Sequence, residues 1–323
     1  MHRREFLGAV GAALAAGVPL RASAQAQSWP DKPVKLILPY GPGGASDLIG
    51  RPWAEKLSQA FGQQFVIENR GGAGGMIGTE AASKAAPDGY TFLLTPSATL
   101  TVLPTMRKTP YDPVKSFDPV ARVGDLVCGF VIHPAVGVKT FQELIAYAKA
   151  NPGKLAFGSA GLGSASHLRI EILKHRAGID ILFVPYRGSA DALNDLLANT
   201  VQMMNEINPI PHVKAGKLIL LDINHTERHP DFPDVPTLTE LGYPDSDVPV
   251  WFSIYAPAGT PKDIVAKLNA KVVEIARTDE MKARMRSINV VVPIQTPQEM
   301  AKYLIEDTAR NAEVIRIANI KLE

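Results

Sequence analysis

Residues 34–47 read VKLILPYGPGGASD, and the fold turns on them. Val34 to Leu38 is a short, mostly apolar run of the kind that forms a buried strand, and Pro39 stops it. Gly41, Gly43 and Gly44 make a turn that leaves backbone N–H groups uncovered. A helix then opens near Ser46 and Asp47. Its first turn adds N–H donors that have no helical acceptor, together with the positive end of the helix dipole. That combination holds an anion, whether phosphate or carboxylate.

Outward from this stretch, strand and helix signals alternate. Leu48 to Phe61 carries apolar residues at helical spacing and ends at Gly62. Phe65–Ile67 reads as a strand, Arg70 and GGAGG as a loop, Met76–Ala86 as a helix, and Tyr90–Leu94 as the next strand. The alternation argues for an α/β protein with mostly parallel sheets. Thr140 with Glu143 and Thr296 with Glu299 have the spacing of helix-capping boxes. Thr260, Pro261 and Asp263 likewise suit a helix start at Lys262.

The whole pattern then returns. Leu155–Phe157 is a strand, GSAGLGSASH spans 158–167, a helix follows, and Ile181–Val184 is a strand. Tyr186-Arg187-Gly188-Ser189 opens one more helix. Ser46 lies 24 residues before Arg70, and Ser166 lies 21 before Arg187. In open α/β sheets such loops gather beyond the carboxyl ends of the strands. Two facing units therefore set an anion-binding helix start on each side of one cleft. That suits a small molecule with a negative group at each end. The plain alternative is two ordinary glycine-rich βα turns.

The totals narrow the field. The chain's 34 Lys and Arg against 32 Asp and Glu are interspersed, so no basic face advertises nucleic acid. Cys128 is the single cysteine, which excludes an intrachain disulfide. Arg3 and Arg4, the apolar run to Leu20, and Ala22-Ser23-Ala24 read as a secretory signal over residues 1–24 with twin-arginine character. Cleavage falls after Ala24 or Ala26, and the mature chain is expected in a periplasm. No later apolar run is long enough to span a bilayer.

Three rival chemistries are weak. Gly41, Gly43 and Ser46, with Glu68 after the next strand, approximate a dinucleotide fingerprint, but Pro42 sits inside the turn and Ser46 replaces the third small residue. His167, Glu171 and His175 share a helical face, yet neither they nor His225 and His229 show a metal-site spacing. His167 is better placed to orient the loop or donate to an anion. Ser159 and Ser164 lack a G-x-S-x-G context and a placed Asp/His pair. Neither a cofactor nor a metal is expected. Arg70 and Arg187 either add positive charge to the cleft or form strand-end ion pairs.

The same residues carry a family resemblance. PDKPVKLILPYGPGGASD, VIENRGGAGGMIGTEAASKAAPDGYTFLL, GSAGLGSASHL, VPYRGSADALNDLL, PDVPTLTELGY and YAPAGTPKDIVAKLN resemble the extracytoplasmic receptors of tripartite tricarboxylate transporters, the Bug-type receptors. The match runs in order through the mature chain. It implies a two-lobed, type II-like Venus-flytrap fold without catalysis, with lobe 1 at 27–124 and 250–323 and lobe 2 at 125–249. It implies a monomer that passes a carboxylate to membrane permease subunits. Family ligands include dicarboxylates, tricarboxylates, amino acids, nicotinate-like compounds and aromatic acids.

By resemblance the ligand lies against Tyr40, Gly43, Gly44, Ala45, Ser46 and Asp47, with Ser97 and Thr99 beside them. Ser159, Gly161, Gly163, Ser164, His167, Tyr186 and Asn205 line the other side. Three places depart from the family pattern: PSATLT after Leu94, Asn205-Glu206, and Asp222 to His225. The expected ligand is therefore kept broad, a dicarboxylate of aliphatic C4–C6 or aromatic type such as terephthalate. Competing readings are a Rossmann-type NAD-dependent oxidoreductase and a ligand-sensing input protein for a two-component system.

Overall fold

The computed structural model describes residues 29–225, 227–229, 231–244 and 249–317. The expected signal segment, 1–24, lies outside them. Two mixed sheets organise the chain, and strands are numbered in chain order. The first holds β1 (Val34–Leu38), β2 (Phe65–Asn69), β3 (Thr91–Pro96), β4 (Phe117–Leu126), β10 (Trp251–Pro257) and β11 (Val290–Val291). The second holds β5 (Phe130–Ile132), β6 (Ala156–Ser159), β7 (Leu182–Pro185), β8 (Met203–Asn205) and β9 (Ile219–Leu220). Their spatial orders are β11-β4-β10-β3-β1-β2 and β7-β6-β8-β5-β9.

The duplicated units occupy equivalent places. β1 runs parallel to β2 on one side and to β3 on the other. In the same way, β6 lies parallel between β7 and β8. Each glycine loop thus leaves the carboxyl end of a strand with parallel neighbours on both sides, where α/β sheets bind ligands. Among the named strands, parallel pairing is confined to these units. β10 pairs antiparallel with β3 and β4, and β5 pairs antiparallel with β8 and β9. The sheets are mixed rather than mainly parallel because strands that pass between the lobes, and those beside them, return against the βαβ direction.

β4 and β10 lie side by side and feed the second lobe from their adjacent ends, where Leu126 N–H donates to Val250 O at 2.8 Å. β10 is buried along its length and alternates by face. Phe252, Ile254 and Ala256 join the core under the helix Ala45–Phe61, while Trp251 and Tyr255 join the opposite one. Trp53 plugs the first core, with no exposure, and its Nε1–H donates to Val123 O at 2.8 Å.

Local signals behave as read in most places. Gly62 ends the first helix in the left-handed conformation, and Thr140–Glu143 forms a complete capping box. Thr296 and Glu299 bond reciprocally at the start of the helix Pro297–Ile317. Thr260 differs: its hydroxyl donates to Pro257 O at 2.7 Å, so Pro261 stands at the cap of Lys262–Arg277 without a side-chain bond. The tract after β3 contains two short helices, Ala98–Thr101 and Leu103–Met106.

Truncating Trp53 removes a wholly buried indole and leaves a cavity. Trp53→Ala is expected to lower unfolding free energy by about 3–5 kcal/mol. Urea denaturation measures it; a loss below about 1 kcal/mol would contradict the packing described.

Candidate functional site: a cleft between two helix starts

The helix Ala45–Phe61 is capped by Gly44, which has no side chain to spare for its N–H groups. Gly43, at φ 79, reverses the chain in a conformation that favours glycine. Asp47, three residues past the cap, reaches back: its Oδ2 accepts the Gly43 N–H at 2.7 Å. It also accepts from Arg51 Nη2 and Asn69 Nδ2, both at 2.9 Å. The carboxylate is 4 % exposed and is committed to holding the loop.

The helix Ala165–Ala177 starts by the same rule. Its cap, Ser164, accepts the His167 N–H at 3.2 Å, and His167 Nδ1 accepts the Gly163 N–H at 3.2 Å. His167 therefore occupies the structural position of Asp47. Its ring packs on Phe183 at 4.2 Å between centroids, and burial pulls its pKa down to about 4. It is neutral at neutral pH. Around the cap, the hydroxyls of Ser159, Ser164 and Ser166 form a triangle with sides of 2.9, 3.1 and 3.1 Å.

Below that triangle lies a buried polar floor. Arg169, 1 % exposed, donates through Nη1 to Asn205 Oδ1 at 2.8 Å and to Cys128 Sγ at 2.9 Å. Asn205 in turn donates to Asn224, and Asn224 to Asp222 at 3.1 Å. Asp222 Oδ1 accepts the Phe130 N–H at 2.8 Å. Burial raises the Cys128 thiol to about 11, which leaves it unreactive. Burial also raises the Glu206 carboxyl, to about 7, against the opposing pull of Arg169 and Ser166.

The two lobes touch over this cleft. Ala45 N–H donates to Ser189 Oγ at 3.2 Å across them. A Cβ on Gly74 would lie 1.9 Å from Leu162 O, and one on Gly163 would lie 2.4 Å from Leu103 Cδ1. Within the GGAGG loop it is at Gly74 that the opposing rim closes onto the backbone. Ala165, Leu168, Ile172 and Ile207 complete the seam by joining the first lobe's apolar cluster.

A narrow cavity lies between the lobes. Of the residues read from sequence, Tyr40, Gly44, Ala45, Ser46, Ser164 and Asn205 line it. Gly43, Asp47, Ser97, Thr99, Ser159, Gly161, Gly163, His167 and Tyr186 are not among its lining residues. Thr99 bonds Thr95 at 2.6 Å, and Tyr186 OH donates to Asp195 at 2.5 Å. Arg70 pairs with Glu68 away from the cavity. Sequence reasoning missed Arg169 and Ser189 as wall residues; Ser166, inside the second glycine loop, and Glu206, in a stretch that departs from the family pattern, were not singled out as contacts. Ser166 and Arg169 are three residues apart and share a helix face, the one local signal that links them. Among the described residues, no group of His, Cys, Asp and Glu is arranged to hold a metal ion.

The chemistry that follows is anion capture. Each helix start offers first-turn N–H groups without helical acceptors, the serines offer hydroxyls, and Arg169 offers the guanidinium. The burial of His167 has its own test. With its pKa near 4, the unfolded chain takes up a proton between about pH 6.5 and 4 that the folded chain refuses, so stability falls as pH drops through that window. Imidazole NMR is expected to show the His167 ring neutral at about pH 5.5; a midpoint near 6.5 would contradict the buried acceptor role.

Comparison with known proteins agrees with this geometry. The family model described as tripartite tricarboxylate transporter family receptor, TctC, matches residues 49–320. The chain is similar to Protein BugT of Bordetella pertussis (strain Tohama I), at 36% identity over 328 residues and 100% of each chain. An R. palustris protein solved with adipate superposes at TM-score 0.87, with 32% identity over 91% of this chain and 99% of that one. MatC from Rhodopseudomonas palustris, solved with bound malate, gives 0.85 and 30% identity, over 88% of this chain and 99% of that one. No described helix is long and apolar enough to cross a membrane. The resemblance read from the motifs holds: the chain belongs to the TctC family of solute-binding receptors of tripartite tricarboxylate transporters.

Proposed function

We propose that the mature chain is a periplasmic receptor that captures a small organic acid between its lobes and delivers it to the permease subunits of a tripartite tricarboxylate-type transporter. The ligand class is a dicarboxylate, aliphatic C4–C6 or aromatic. In this reading lobe 1 comprises 27–124 and 250–323, and lobe 2 comprises 125–249. The N-terminal sequence supports export, and the adipate and malate held by two relatives support the ligand class. One observation carries the reading: two helix starts, each locked by its own side chain, face one cavity floored by a buried guanidinium.

Capture works by differential contact. Open lobes offer the acid one set of donors, and closed lobes offer both, so ligand shifts the population toward closure. The rims must then meet. Gly44, at φ −87 and ψ −173, has a backbone that any residue adopts, and a Cβ there would lie 2.9 Å from Ser189 Oγ. Gly44→Val is therefore expected to weaken carboxylate binding about tenfold or more while leaving unliganded stability nearly unchanged. Calorimetry with unchanged affinity would remove closure at this rim from the mechanism.

A thermal-shift screen of mono-, di- and tricarboxylates, aliphatic and aromatic, tests the function as a whole. At about one hundred times Kd a matched acid adds about 2.7 kcal/mol, enough to raise the midpoint by several degrees. NAD is expected to add nothing. Stabilisation by NAD with none by any carboxylate would overturn the receptor reading.

A further inference from the structure

Glu206 follows the last residue of β8, so the sheet fixes its position, and it is the one acidic residue on the cavity wall among the described residues. Ser166 and Arg169 face it from the helix Ala165–Ala177, and Tyr40 faces it from the first lobe. Cys128 lies within the electrostatic reach of Arg169, Glu206 and Asp222 together. On the cavity wall, among the described residues, one guanidinium, Arg169, stands with one carboxyl group, Glu206. A ligand carboxylate adds a second. Helix-start amides stabilise part of that charge, and the remainder needs a proton or a donor opposite Glu206.

We propose that Glu206 sets the ligand class: the cleft selects a small organic acid with a hydroxyl or ammonium donor beside its carboxylate over the plain diacid of equal length. The inference rests on the receptor reading above and narrows it. An ionised Glu206 accepts a charge-assisted hydrogen bond from such a donor. A plain diacid presents only acceptors, so it requires Glu206 to be protonated. With the carboxyl raised to about 7, affinity for a plain diacid is full below that pH and falls as pH rises through it. Affinity for the donor-bearing acid is retained. His167 is neutral above about 4, Cys128 stays a thiol below about 11, Tyr40 is raised further, and Arg169 stays charged, so none of these four titrates between about pH 6 and 8.

The test is calorimetry on the mature protein with matched acids of four, five and six carbons: plain diacid, 2-hydroxy diacid and 2-amino diacid. At about pH 8, one substituted acid is expected to bind at least about tenfold tighter than its plain counterpart. At about pH 6 the gap narrows. Glu206→Gln is expected to close the gap and flatten the plain diacid's pH profile, while Glu206→Asp keeps both. The hydroxy and amino arms decide which donor the site takes. If Glu206→Gln retains the wild-type ratio and profile, or if the plain diacid binds tighter at about pH 8, the inference is overturned and carboxylate reception stands. If no acid of any length binds, both fall.

Discussion

One bond pattern governs the site: the side chain three residues past a helix cap takes back the amide that precedes the cap. Asp47 does this for Gly43, and His167 does it for Gly163. Without that bond a glycine turn has too many conformations to present its donors in one direction. With it, each turn is pinned to its own helix, whose first residues, Ala45 and Ser46 in one and Ala165 and Ser166 in the other, line the cleft. The two lobes solve the problem with different chemistry. The first uses a carboxylate paired with Arg51, and the second uses a buried, neutral imidazole.

That difference places the charge of the site. Neither locking group adds a free charge to the cavity, so the wall's electrostatics reduce to Arg169 and Glu206 together with the helix ends. A guanidinium held by Asn205 and Cys128 is preorganised for a planar anion. A carboxyl with a pKa near neutrality beside it tunes which anion is accepted. Closure then depends on glycine at the rims, where a single Cβ at residue 74 would strike the Leu162 carbonyl.

Much of this is legible in the chain. The duplicated strand, glycine turn and helix are local features, set by apolar spacing and by where glycine falls, and both units form at equivalent strands. The family motifs and the capping boxes are local as well. Side-chain direction is harder. Asp47 reads as a ligand contact because it sits in the loop, and His167 as either a ligand contact or a group that orients the loop; both turn back to the backbone. Their position three past a cap was the available clue. Arg169 lies on a helix buried on nearly every side along its first two turns, so no amphipathic stripe sets it apart. Ser189 reaches the first helix only once the lobes meet. Such positions depend on contacts between distant segments, which spacing does not encode.

The most direct measurement is a crystal structure of the mature protein with a diacid that stabilises it. The account places one carboxylate within hydrogen-bond distance of the Ser46 amide, and the other against the Ser164–Ser166 turn and Arg169. A diacid seated instead in the cavity beside His225, Arg228 and Arg286, with the space between the helix starts left to solvent, would contradict it.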